Sequence, residues 1–363
     1  MPVMDDAAHP GRDATGPDGP RSTARRARPI VAHPGGLLIP SVGDGDPGWP
    51  QVQAALRSMR AFRLYRGVYV LSDAWEGSSP DERRRLCCVG AALTHPGRHL
   101  TGRAAAVMLG YPLPGPLDAI DLAHGGRHNA GLVVAGHSGA PPIRFRHVRS
   151  AERGVVSGVP CATAGEVVVQ LARCGDFAGA VAAADGHLRA GGCAVDLLRV
   201  AAAGTRRVRS LTAVKAISVA SALSESPLES SAKAALVTAG IGGWAQQVTL
   251  VRAVDRTPLA RVDFWFPAEG VVLELDGAVK YEEAFGGADV VVKRERRREK
   301  LLVNEGAQVI RGGFAELDDG SLLRSLDRVL GDAPVGGYAG GRLLAFGRHE
   351  SLPADVRRNW GRA

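Results

Sequence analysis

The run Val271-Val272-Leu273-Glu274-Leu275-Asp276-Gly277 constrains this chain more than any other feature in it. Its apolar, branched residues suit a strand inside a sheet, and a strand packed on both faces is expected to be apolar on both. Side chains alternate along a strand, so Leu273 and Leu275 share one face, and Val272, Glu274 and Asp276 share the other. Two carboxylates therefore fall where burial is expected, which is costly unless positive charge compensates. A divalent cation is the simplest compensation. The alternative is a strand end open to water, because Gly277 closes the run.

The neighbouring segments read as a meander around that strand. Residues 246–251 (QQVTLV) form a first strand, Asp255-Arg256-Thr257-Pro258 a turn, and residues 260–267 (ARVDFWFP) a second strand. Ala268-Glu269-Gly270 turns the chain into the third. In the second strand Val262, Phe264 and Phe266 are predicted to share one face, with Asp263 on the other beside Arg261 and Trp265.

A helix start precedes the meander. Ser226 can cap it, Pro227 suits its first turn, and Glu229 completes a capping box; Gly240 stops it. Glu229 has this structural explanation, and from a first turn it can equally point into a site. After the third strand, residues 291–306 (VVKRERRREKLLVNEG) read as a basic helix. The like-charge pairs Arg294–Arg298 and Glu295–Glu299 are mildly unfavourable at helical spacing. Phosphates neutralising Arg294, Arg297 and Arg298 would relieve that; a solvated face is the plainer reading. A strand carrying Arg311 and a helix at about 321–330 follow.

Upstream, residues 1–30 lack apolar periodicity and are expected to form a disordered tail. Residues 31–78 place a helix opened by Pro50 before FRLYRGVYVLS, a Gly-punctuated hairpin, which fits the second half of a winged helix. Arg63 and Arg66 would then meet phosphates from the wing, or they are solvated arginines on a small α/β element. Residues 79–222 read as a mixed α/β middle region with no recognisable chemistry. Residues 333–363 read as a loosely ordered tail.

Formal net charge is +8 over 363 residues, which favours phosphate-bearing partners without specifying one. The 5 cysteines form no CxxC pair, which argues against a disulfide framework and against a zinc finger. Neither a membrane-spanning apolar run nor a secretory signal is present in the sequence, so a cytoplasmic location and no membrane partner are expected.

The succession ESPLESSAKAAL…ARVDFWFP…VVLELDGAVKY…ERRREKLLVNEGAQVIR resembles a bacterial domain family. That family is related to the very-short-patch-repair (Vsr) endonucleases of the PD-(D/E)XK superfamily. The likeness covers about 110 residues, and GGLLIP…AFRLYRGVYVLSDAW is similar to the winged-helix segment of AbiEi-type antitoxins of type IV toxin–antitoxin systems. The resemblance implies an α/β chain whose residues 223–332 form a restriction-endonuclease-like domain, a mixed sheet flanked by helices. It implies Asp263 as the main metal ligand, Glu274 as the second acid, Glu229 as the acid on the first helix, and Arg298 on a helix beside the site. Where the superfamily motif has a lysine this chain has Asp276. Lys280 then supplies the amine from the next turn, or Asp276 is a third ligand. The function so implied is a Mg²⁺- or Mn²⁺-dependent DNA endonuclease. The alternative is a non-catalytic antitoxin-type regulator on a degenerate nuclease fold, with a cognate toxin as partner.

Overall fold

The computed structural model describes residues 36–38, 49–125, 131–148, 152–203, 210–277, 297–332 and 342–347. The tail expected at 1–30, and Lys280 and Arg294, lie outside these residues.

The chain is mixed α/β. Its N-terminal part begins with β1 (Leu37–Leu38), α1 (Trp49–Arg57), β2 (Ala61–Tyr65) and β3 (Val68–Leu71), with sheet order β1-β3-β2. Gly67, at φ 74°, makes the β2–β3 turn. Next come α2 (Ser72–Glu76), α3 (Pro80–Thr94), α4 (Gly102–Met108), β4 (Ile120–His124), β5 (Val133–Val134) and β6 (Ile143–His147). In that sheet β4 and β6 run parallel, and β5 pairs antiparallel with β6. The hairpin β7 (Arg153–Val156) and β8 (Val159–Ala162) leads into the helices α5 (Ala164–Arg173), α6 (Phe177–Arg189), α7 (Ala194–Ala203) and α8 (Ser210–Val219). Local chemistry accounts for several of these starts. Ser79 and Glu82 form a reciprocal capping box on α3, and Asp176 accepts the Gly179 amide on α6.

One continuous core runs from Leu37 through Tyr65, Cys88 and Ile120 to Ile217. The described residues of 31–78 and of 79–222, expected as separate units, therefore share a single core. The reason is long-range packing. Tyr65 is buried against α3, and its hydroxyl donates to the Pro141 carbonyl at 2.8 Å.

The C-terminal part comprises α9 (Pro227–Ala239), β9 (Ala245–Arg252), β10 (Pro258–Phe266), β11 (Val271–Leu275), α10 (described over 297–304), β12 (Gln308–Gly312), α11 (Phe314–Asp318), α12 (Ser321–Gly331) and β13 (Leu343–Phe346). The sheet order is β12-β11-β10-β9-β13, antiparallel except for the parallel pair β11–β12. On one face Phe264, Phe266, Leu273 and Leu275 pack against Leu228, Ala232 and Leu236 of α9 and Leu322 and Leu326 of α12. On the other, Val262, Trp265 and Val272 pack with Leu302 of α10.

Leu343–Phe346 pairs with Arg252–Thr249 as an edge strand, so this part of 333–363 is not a loose tail; the exposed ladder edge of β9 recruits it. Val262 joins Trp265 rather than Phe264, so strict alternation slips at Asp263. Opposite that point in β9, Gln247 has φ 53°, a left-handed backbone that breaks the pleat.

The two halves meet at α6 and α9. Lys233 is fully buried, and its ammonium donates to Asp185 at 2.8 Å and to the hydroxyls of Ser221 and Ser224 at 3.1 Å each. Among the described residues no helix is long and apolar enough to cross a membrane.

Candidate functional site

The site begins at the first turn of α9. Ser226 caps the helix by accepting the Glu229 amide at 3.2 Å. The Glu229 carboxylate accepts the Ser226 hydroxyl at 2.9 Å and the Glu225 amide at 3.1 Å. Its Oε2 also accepts a third bond, 2.8 Å, from Nε2 of Gln247 on β9. The same nitrogen donates to Oδ1 of Asp263 on β10 at 2.9 Å, and Oδ2 of Asp263 accepts the Leu275 amide at 2.8 Å. The Asp263 side chain therefore spans the ladder between its own strand and β11.

Glu274 stands on β11 with only 15% of its side chain exposed. Burial, then the adjacent Asp263 charge, pushes its carboxyl up to about 7; Arg298 and Arg311 oppose the shift and Asp276 adds to it. The Arg298 guanidinium on α10 lies 3.8 Å from Glu274 Oε1, too long for a hydrogen bond but within ion-pair range. Asp276 follows the end of β11, and its side chain is 43% exposed. Its carboxylate lies 3.6 Å from Arg311, which is as far from Glu299. Of the two readings of the carboxylate face, Glu274 is the buried acid and Asp276 the one open to water.

These groups line a cleft of about 1370 Å³ between the two halves. The described lining carries Asp176, Glu225, Glu229, Asp263, Glu274, Asp276 and Asp318 against Arg84, Arg103, Arg261 and Arg298, three more carboxylates than guanidiniums. Arg103 is tied to Asp176 at 2.8 Å and Arg261 pairs with Glu225, so part of the positive charge is already committed.

The fold brings Glu229, Asp263, Glu274, Asp276 and Arg298 to one cleft. It does not bring Arg63 or Arg66 there: both sit at the β2–β3 hairpin, where Arg63 donates to the Tyr65 carbonyl and Arg66 is exposed. Arg297 is exposed on α10 and is not among the described lining residues. Lys280 and Arg294 lie outside the described residues. Gln247 was not singled out from the sequence. The available signal was a pair of adjacent amides, Gln246-Gln247, opening a strand that is otherwise almost wholly apolar.

Among the described residues no group of three or more His, Cys, Asp or Glu side chains is arranged to hold a metal ion. Asp263 and Glu274 stand on the neighbouring strands β10 and β11, close enough for the charge of one to raise the carboxyl of the other. A comparison of the chain with protein-family models, curated proteins and solved structures finds no match.

Proposed function

We propose that this chain is a divalent-cation-dependent phosphodiester hydrolase acting on DNA, with Asp263 and Glu274 as the cation-holding pair. The observation that carries the reading is the buried Glu274 carboxyl beside Asp263 in a cleft with excess carboxylate. A phosphodiester entering that cleft meets net negative charge, and a cation between acid and phosphate removes the conflict. Mg²⁺ fits such a place, since it is commonly held by one or two carboxylates, keeps several waters and takes its remaining ligands from phosphate. Bound there, it would supply a polarised water and charge neutralisation at phosphorus.

The chain's own groups have separable tasks in this reading. Asp263, gripped by the Leu275 amide, keeps a fixed orientation. Glu274, raised to about 7 in the metal-free cleft, would give up its proton when the cation binds, so cation affinity should rise with pH through that range. Arg298 and, across the cleft, Arg84 lie where a phosphate backbone would be steered. The antiparallel β9–β10–β11 meander, the parallel β12 and the helices on both faces support a restriction-endonuclease-like assignment for residues 223–332. The helix α1 and hairpin β2–β3, with β1 added, support a winged-helix assignment for 31–78.

The test is cleavage of supercoiled plasmid by purified protein in Mg²⁺ or Mn²⁺. Asp263→Ala is expected to lower the rate at least about 100-fold, and equal rates in the two proteins would sink the assignment. A second reading rests on Asp276, which faces Arg311 where the superfamily motif carries a lysine. It makes the protein a DNA-binding regulator that binds its target in EDTA and cleaves nothing, with a cognate toxin as partner.

A further inference from the structure

We propose that Gln247 is a positioning residue for the acidic site, its side-chain amide holding Asp263 and Glu229 together across β9, β10 and the first turn of α9. The inference rests on the cleavage reading above.

The geometry is specific. Gln247 is 4% exposed, and its Nε2 donates at 2.8 Å to Glu229 and at 2.9 Å to Asp263. The amide has two hydrogens, and each finds a charged acceptor, the stronger kind of hydrogen bond. Neither carboxylate depends on it for burial alone, because Glu229 already accepts from Ser226 and Glu225, and Asp263 from Leu275.

The backbone is held in an uncommon conformation to achieve this. Neighbouring side chains in a regular strand point to opposite faces. Gln246 and Gln247 nevertheless both reach toward α9. Gln246 bonds the hydroxyls of Ser221 and Ser224 just before the helix, and Gln247 bonds Glu229 on it. The φ of 53° at Gln247 makes that possible, and a strained non-glycine residue of this kind persists only when its surroundings enforce it.

The choice of side chain is also informative. Lysine or arginine would satisfy two carboxylates more strongly but would cancel the negative charge that attracts a cation. An amide donates twice and adds no charge. Gln247 therefore orients the acids without neutralising them, the task of an outer-layer ligand at a metal centre.

The experiment compares the protein with its Gln247→Met variant, measuring cleavage kinetics and Mn²⁺ binding by isothermal titration calorimetry. The expected result is a kcat lowered about 10- to 100-fold and Mn²⁺ affinity weakened by a similar factor, with KM for DNA within about twofold. A change in KM alone, or wild-type kcat and Mn²⁺ affinity in Gln247→Met beside an active parent, overturns the positioning role and leaves the cleavage reading standing. A parent that neither cleaves nor binds Mn²⁺ overturns both. Should Gln247→Met fail to fold, Gln247→Lys keeps a donor, and it is expected to fold with Mn²⁺ affinity at least about tenfold weaker; wild-type affinity there overturns the proposal. If neither variant folds while Asp263→Asn does, Gln247 serves the fold alone and the proposal is likewise overturned.

Discussion

The ammonium of Lys233 on α9 lies 2.8 Å from the carboxylate of Asp185 on α6, and both side chains are out of water. Desolvation lowers the lysine's pKa, opposed by the charges of Asp185 and Glu229. Asp185 is saturated as well, accepting the Ser221 amide at 2.8 Å and the Ser230 hydroxyl at 2.7 Å. All three lysine donors are used, so the group is a fastener between the two halves rather than a nucleophile.

Breaking this pair on one side strands a buried charge. Lys233→Met is expected to cost roughly 3–5 kcal/mol, while Lys233→Met with Asp185→Leu recovers a large part of it. Urea unfolding of both variants is the check. A double variant no more stable than Lys233→Met would show that the donors Asp185 leaves behind, the Ser221 amide and the Ser230 hydroxyl, cost as much as the orphaned carboxylate.

Glu274 predicts a pH dependence of stability in the metal-free protein. Folding raises its carboxyl from the ordinary 4.5 to about 7. Between those values the native state keeps a proton that the unfolded chain has released. The contribution is complete below about pH 4.5 and is lost as pH rises through about 7, on the order of 3 kcal/mol in all. Glu274→Gln should remove that slope. Urea midpoints measured in EDTA from pH 4.5 to 8 decide it, and parallel profiles for the two proteins would refute the assignment.

The thiols should divide into two classes. Cys87, Cys88 and Cys161 are buried, and burial pushes Cys87 up to about 11, Cys161 up to about 12 and Cys88 well above its usual value. Cys174 and Cys193 are exposed. Ellman's reagent at pH 8 should therefore titrate two thiols quickly in the native protein and all five in guanidinium. Rapid reaction of a third native thiol would contradict the core around α3.

Much of the local structure was legible in the residues themselves. Ser226 caps α9 by accepting the Glu229 amide, Pro227 fills its first turn, and Gly240 ends it at φ 75°. The reciprocal half of the expected capping box is not made, because the Glu229 carboxylate turns to the Ser226 hydroxyl, the Glu225 amide and Gln247. The alternation of β11 was equally readable, with Leu273 and Leu275 packed against α9 and α12 and Glu274 facing α10. These are interactions over a few residues, so a short window contains both partners.

Tertiary structure decided the rest. The partners of Gln247 stand 16 and 18 positions away, and no periodicity links a buried amide to the particular carboxylates it will meet. Asp276 and Glu274 look equivalent along the strand, yet only the end of β11 beside β12 determines that one is buried and the other wet. Leu343–Phe346 is four residues without a pattern of its own, and it becomes a strand because β9 offers an unpaired edge. The residues alone set where α9 starts, how β11 alternates and which acids interrupt an apolar run. Only packing between distant segments decided which of those acids share a cleft, because burial and charge coupling depend on neighbours that the chain brings together last.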